Sequence, residues 1–186
     1  MDFNKHYDLE GKHAFLSASK YHWINYDEEK VDNTFRNMMA AQQGTILHEF
    51  AAQAIRLGVK LPRTQKTLNM YVNDAIGFRM AQEQVLFYSY NAFGTADTIS
   101  FRKNFLRIHD LKTGVGKCSF HQLEIYVAFF CLEYRVKPTE IEVELRIYQN
   151  DEIQTFTPDP NDILAIMEKI VSFDQRIEKL KMEVMA

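Results

Sequence analysis

AFGTADTISFRKNFLRIHDLKTG, residues 92–114, decides the architecture. Residues 92–101 and 105–111 read as two strands, and Arg102-Lys103-Asn104 between them as a hairpin turn. In Leu106-Arg107-Ile108-His109 apolar and polar residues alternate, as on a half-buried strand whose side chains point to opposite faces in turn. Just upstream, residues 83–90 are rich in aromatic and β-branched side chains and predict a preceding strand. Just downstream, residues 113–117 hold two glycines and read as a loop. Ser119 is placed to cap a helix over residues 120–133. Residues 140–149 alternate cleanly through Ile141, Val143, Leu145 and Ile147, which predicts another strand.

The flanks are helical. Residues 33–57 are rich in Ala, Gln, Met and Leu, with Ile46, Leu47, Phe50, Ala54 and Leu57 at helical spacing and Gly58 as a stop signal. A second helix is expected over residues 64–80, with Leu68, Val72 and Ile76 spaced along one face. Residues 162–183 predict a closing amphipathic helix, with Ile163, Ile166, Ile170, Phe173, Ile177 and Leu180 on a stripe packed onto the chain's own sheet. The order helix, helix, three strands, helix, strand, helix implies an α/β fold with a central mixed sheet flanked by α-helices. The 186 residues contain no repeat, linker or low-complexity tract, so one domain over 1–186 is expected.

Bulk properties narrow the function classes. The chain is 46% hydrophobic and 25% charged, which argues against disorder. Its formal charge of −3 provides no general attraction to nucleic acid, so a passive coating protein is disfavoured. An enzyme whose metal ions supply positive charge is not. Cys118 and Cys131 are two isolated thiols; they suit a reducing compartment and cannot hold a four-thiolate cluster. Residues 1–16 are broken by charges and read as no signal peptide, and no apolar run is long enough for a bilayer, so a cytoplasmic chain without membrane association is expected.

Asp97 and Asp110 fall on the two hairpin-linked strands, which lie ~4.8 Å apart if paired. Two such carboxylates are hard oxygen ligands of the kind Mg²⁺ prefers. Lys112 stands two residues after Asp110, on the same face of a strand. An acid and an ammonium aimed at one point suit phosphodiester hydrolysis, in which a metal activates water and an ammonium stabilises developing charge. Taken alone, Asp-x-Lys reads more simply as a surface ion pair. Gln122 and Tyr126 lie one helical turn apart and offer amide, hydroxyl and ring to a nucleotide, or else form an ordinary half-buried helix face. His48 is a possible metal ligand or an ordinary helix histidine; Glu49, about 100° away around the helix, is a supporting or structural residue.

Read in order, Gly44-Thr45-Ile46-Leu47-His48, Gly94-Thr95-Ala96-Asp97, Ile108-His109-Asp110-Leu111-Lys112-Thr113-Gly114 and Gln122-Leu123-Glu124-Ile125-Tyr126 resemble the RecB-type branch of the PD-(D/E)xK nucleases. Leu16-Ser17-Ala18-Ser19-Lys20 is similar to the S-x-S segment near the start of that branch, so the resemblance covers about residues 16–130. It implies a restriction-endonuclease-like core. It also implies Mg²⁺ or Mn²⁺ held by His48, Asp97, Asp110 and the carbonyl of Leu111, with Lys112 as catalytic lysine and Gln122 and Tyr126 on the substrate backbone or supporting the lysine. Ala96 stands where the family name has proline, and the four cysteines that hold an iron–sulfur cluster in some relatives are absent, so no cluster is expected.

Members of this branch cut DNA, often from an end, in recombination, repair or CRISPR adaptation. The implied activity is a metal-dependent deoxyribonuclease, more specifically an exonuclease, and a phage or mobile element would be a natural source for so small a member. Implied partners are single- or double-stranded DNA and a second copy or a recombination or replication protein. The alternative is a nuclease-fold protein that has lost catalysis and binds nucleic acid or a protein, against which the intact acid, acid and lysine set speaks. A third reading makes the closing helix a docking surface. Arg56, Lys60, Arg63 and Lys66 form a short basic stretch, either a phosphate track or a solvated surface.

Overall fold

The computed structural model describes residues 4–185. The chain forms two compact units, Met1–Gln43 and Gly44–Ala186. In the first, short 3-10 segments Tyr7–Leu9 and Ala18–Asn25 precede the first long helix. Trp23 donates its indole N–H to the carbonyl of Ser17 (2.9 Å), Ser17 and Ser19 share a hydroxyl contact (2.8 Å), and Phe15 meets Phe35 edge to face. Helix α1, Glu28–Leu57, carries the chain from this unit into the next. It starts five residues before its expected beginning because Asp27 caps it, accepting the Lys30 N–H at 2.8 Å, while Glu28 and Glu29 favour the positive end of the helix. Gly58, at φ 66°, ends it by the left-handed turn that glycine adopts freely.

The second unit is an α/β layer structure. Helix α2 is Thr67–Gly77, followed by strands β1 Ala81–Ser89, β2 Ala92–Arg102 and β3 Phe105–Leu111. Helix α3, His121–Tyr134, crosses to strand β4 Glu142–Gln149; β5 Glu152–Phe156 and helix α4 Pro160–Met185 close the chain. The five strands form one mixed sheet in the order β1-β2-β3-β4-β5. Only β3 and β4 run parallel, which is why a helix, not a turn, joins them.

Each sheet face has its own core. On one, α3 and the start of α4 bury Leu86, Ala96, Ile108, Leu145 and Ile147. On the other, α1 and α2 bury Leu111 and Tyr148 with Ala51, Ile55, Tyr71 and Val72. At roughly 25 cal/mol per Å² of apolar surface, each fully buried Leu or Ile contributes about 1.5–3 kcal/mol. Two faces covered by helices explain why β3 and β4 carry apolar residues at so many positions.

Several expectations are corrected. Ser119 does not cap α3, which begins at His121 with Phe120 at its N-cap and no side-chain cap bond. Residues 64–66 precede α2, and Pro138–Glu140 form a 3-10 turn before β4. Strand β5 was not expected: all five of its residues are exposed, so no apolar alternation marks it. The turn before it places Asn150 and Asp151 at φ 52° and 60°, the two-residue hairpin geometry that Asn and Asp tolerate. Finally, the apolar stripe of α4 only half reaches the core. Ile163 is buried and Ile166 and Ile170 pack against it, whereas Phe173 is 60% exposed and Ile177 and Leu180 face solvent. The reason is length: α4, at 26 residues, extends ~39 Å, and α3, at 14 residues, ~21 Å, so its second half outruns its partner. No described helix is long and apolar enough to cross a membrane.

Candidate active site at the fork between two strands

The ladder between β2 and β3 runs from Arg102↔Phe105 to Thr98↔His109 and stops there. Beyond it, Asp110 and Leu111 pair only with β4, opposite Ile147 and Tyr148, and the lower part of β2 pairs only with β1. By register Asp97 would be the next partner of Asp110. Instead the strands part, and the Asp97 side chain bridges the gap by accepting the Leu111 N–H at Oδ2 (3.1 Å). Opening a ladder in this way exposes backbone groups that a side chain must satisfy.

Three elements converge on the fork. Helix α1 brings His48, whose Nδ1 is 3.5 Å from Asp97 Oδ2. Strand β3 brings Asp110, and Lys112 just past its end reaches back to it, with Nζ 2.9 Å from Oδ2 and 3.1 Å from Oδ1. Helix α3 brings Gln122, which accepts a bond from Lys112 Nζ (3.0 Å) and donates to the hydroxyl of Tyr126 (2.9 Å). Asp110, Lys112, Gln122 and Tyr126 thus form one chain of contacts. Two glycines let the elements approach. A Cβ at Gly44 would stand 2.7 Å from Thr113 Oγ1, and one at Gly94 would stand 2.8 Å from the Tyr126 ring.

Asp110 is nearly inaccessible, and its Oδ2 accepts no bond of good geometry although Lys112 is close. Burial, then the neighbouring Asp97 charge, pushes its pKa up to about 6; Lys112 and His48 pull the other way and lose. For Lys112, burial works against the charge, but the bond and charge of Asp110, with Asp97 behind it, leave its pKa above the usual lysine value. The donors available to a divalent cation are Asp97, Asp110, His48 and the backbone at Leu111. Among the described residues, no three His, Cys, Asp or Glu side chains stand grouped around one point. His48 closes on Asp97 and Lys112 on Asp110, so the set is present as two pairs.

Residues not anticipated complete the surroundings. Tyr71 of α2 is buried beside the fork; burial first and the Asp97 charge next drive its phenol well above its ordinary pKa, while Thr98 hydrogen-bonds to it. Glu83 stands opposite Asp97 in the β1–β2 register and holds φ 52° in mid-strand. With Thr45, His48, Glu49, Gln53 and Arg56 it lines a groove of about 550 Å³ along α1. Gln149 at the end of β4 donates to the carbonyls of Gly114 and Gly116 and accepts from Cys118, pinning the loop after Lys112. A mid-strand acid with no role in the alternation and a glutamine ending an apolar strand were the available signals. Of the basic stretch, Lys66 is engaged by Asp151 (2.8 Å), and Arg56 alone reaches the groove.

No protein-family model, no curated protein and no solved structure matches the chain significantly.

Proposed function

We propose that this chain is a divalent-metal-dependent nuclease with a restriction-endonuclease-like core of the RecB-type PD-(D/E)xK branch, hydrolysing DNA phosphodiester bonds, with exonuclease action the most specific form of the reading. The observation that carries it is the fork: two acids from adjoining strands, one with a buried oxygen that lacks a hydrogen bond, and a lysine aimed at the same carboxylate. Even with the Lys112 ammonium 2.9 Å from that oxygen, burial and the second acid keep the Asp110 pKa raised, until a further positive charge favours the ionised form. Mg²⁺ or Mn²⁺ would do so, held by Asp110, Asp97, His48 and the Leu111 carbonyl. When bound, such an ion supplies Lewis-acid polarisation of a phosphate and a more acidic water.

The chain's own residues provide the rest. Lys112 carries a charge that stays positive across the working range and offsets charge developing on the phosphate. Gln122 fixes the direction of Lys112, and Tyr126 fixes Gln122. Asp110 itself is 4% exposed, so little water reaches its carboxylate. Gln149 holds the carbonyls of Gly114 and Gly116 and so fixes the loop beside the lysine.

The test is degradation of linear and circular DNA, single- and double-stranded, in Mg²⁺, Mn²⁺ or EDTA. Metal-dependent cleavage that disappears in Asp110→Ala and Lys112→Ala is expected, with linear substrates cut in preference to circles. Cleavage that survives both substitutions rules out this site. Metal binding with no cleavage of any polynucleotide favours the competing reading, a nuclease-fold protein that binds without cutting.

A further inference from the structure

Three aromatic rings at the turn end of the first hairpin face solvent and one another. Phe87 and Phe93 are cross-strand partners with centroids 6.4 Å apart, and Tyr90 in the connecting turn sets its ring edge-on to Phe87 at 5.5 Å. They are 39%, 57% and 90% exposed, respectively. Val85, the next residue on that face of β1, is exposed as well. Rings so exposed contribute little to the core, and a contiguous aromatic cluster at a surface marks a contact.

Its position relates it to the fork. Gly94 and Ala96 turn toward α3, so Phe93 and Thr95 point to the other face of the sheet, the one on which α1 presents His48. Asp97 lies four residues along β2 from Phe93, a path of ~14 Å at ~3.4 Å per residue. About four stacked nucleotides of one strand cover that distance at ~3.4 Å each. The hairpin end is also held rigid. Ser89 and Asn91 both donate to Asp174 of α4 (2.6 and 2.8 Å), and Asn91 bonds Glu178 and Lys181. This anchoring is what the overhanging half of α4 does for the sheet. A platform whose backbone is fixed loses little on binding.

We propose that Phe87, Tyr90 and Phe93 form a stacking platform for unpaired bases of a single-stranded polynucleotide whose backbone continues to the Asp97–Asp110 fork. The inference rests on the nuclease reading and specifies its substrate class. Every base has a π-face, so aromatic stacking accepts any sequence, whereas pairing and stacking in a duplex conceal all but the terminal faces. The chemistry of the patch fits bases better than it fits phosphates, because the chain's net charge of −3 gives a polyanion little general attraction.

The experiment measures anisotropy of a labelled 12-nucleotide dT strand, an abasic strand of equal length and a blunt duplex, with Ca²⁺ in place of Mg²⁺. Wild type, Phe87→Ala/Phe93→Ala and the ring-retaining Phe93→Trp are compared, and thermal unfolding verifies each fold. Wild type should bind dT about tenfold or more tightly than the abasic strand; the double alanine variant should lose that margin and Phe93→Trp keep it. Equal binding of dT and abasic strands, or undiminished binding by the double variant, overturns the platform. So does a change of oligomeric state in the double variant with dT binding intact, which would mark a contact between copies. Cleavage in Mn²⁺ separates the two readings. Cleavage by wild type with no effect of the aromatic substitutions leaves the nuclease and removes the platform. Base-dependent binding without cleavage leaves the platform and removes the nuclease.

Discussion

Lys112 Nζ lies 2.9 Å from one oxygen of Asp110 and 3.1 Å from the other, yet Asp110 titrates upward, to about pH 6. Burial and the charge of Asp97 outweigh the lysine. A further cation beside the two carboxylates would favour their ionised forms. Four consequences are measurable.

Removing the ammonium should unbalance the fork. Lys112→Ala leaves Asp110 buried beside Asp97 without its ammonium, so it should lower the rate of DNA cleavage about 10²-fold or more. It should also cost about 1–3 kcal/mol of stability at pH 8 and less at pH 5, where Asp110 takes up a proton instead. Urea unfolding of both proteins at the two pH values measures the difference.

The raised pKa of Asp110 has a definite sign. The folded state binds a proton more tightly than the unfolded one, so its contribution to stability is full below pH 3.8 and is lost as pH rises through about 6. Asp110→Asn should consequently be more stable than wild type above pH 6, by about 1–3 kcal/mol in EDTA. Saturating Mn²⁺ should raise the melting temperature of wild type and not that of the variant. Differential scanning fluorimetry with and without Mn²⁺ suffices.

His109 behaves oppositely. It is fully buried behind Asp110, with Nδ1 3.3 Å from the Tyr148 hydroxyl and no partner on Nε2. Burial, then Arg146 and Arg107, hold its pKa near 3. The folded state thus binds fewer protons, and its stabilising effect is present above pH 6.5 and lost as pH falls toward 3, by up to about 3–5 kcal/mol. Between pH 6 and 4 this slope opposes that of Asp110. His109→Gln should flatten the acid side of the stability profile, and the corresponding curve for Asp110→Asn should steepen.

The glycines test close approach. Gly94→Ala drives a methyl to 2.8 Å from the Tyr126 ring, whose hydroxyl is held by Gln122, and should destabilise by about 1–3 kcal/mol with reduced cleavage. Gly44→Ala gains ~1 kcal/mol of helix propensity but meets the Thr113 hydroxyl at 2.7 Å. Adding Thr113→Ala removes that oxygen, so the double variant should melt higher than Gly44→Ala alone.

Much of this was legible in the chain because two faces of one sheet impose strict patterns. The alternation through Leu106-Arg107-Ile108-His109 marked β3, and the hairpin before it and the crossover helix after it are present. The motif glycines were visible as letters, but their reason, contact with Thr113 and Tyr126, needed the packing. Parting of β2 and β3 after Thr98↔His109 was not legible, since nothing local to Asp97 states that its partner is the Leu111 N–H. Strand β5 escaped because it buries nothing. The apolar stripe of α4 misled because residue spacing carries no information on where the neighbouring helix ends.

The most direct test of the account is a crystal of the protein grown with Mn²⁺ and measured at a wavelength where manganese scatters anomalously. The account predicts one strong anomalous peak between the carboxylates of Asp97 and Asp110, within reach of His48, absent from Asp110→Asn. An empty fork at saturating Mn²⁺, with Lys112 still closed on Asp110, would contradict it.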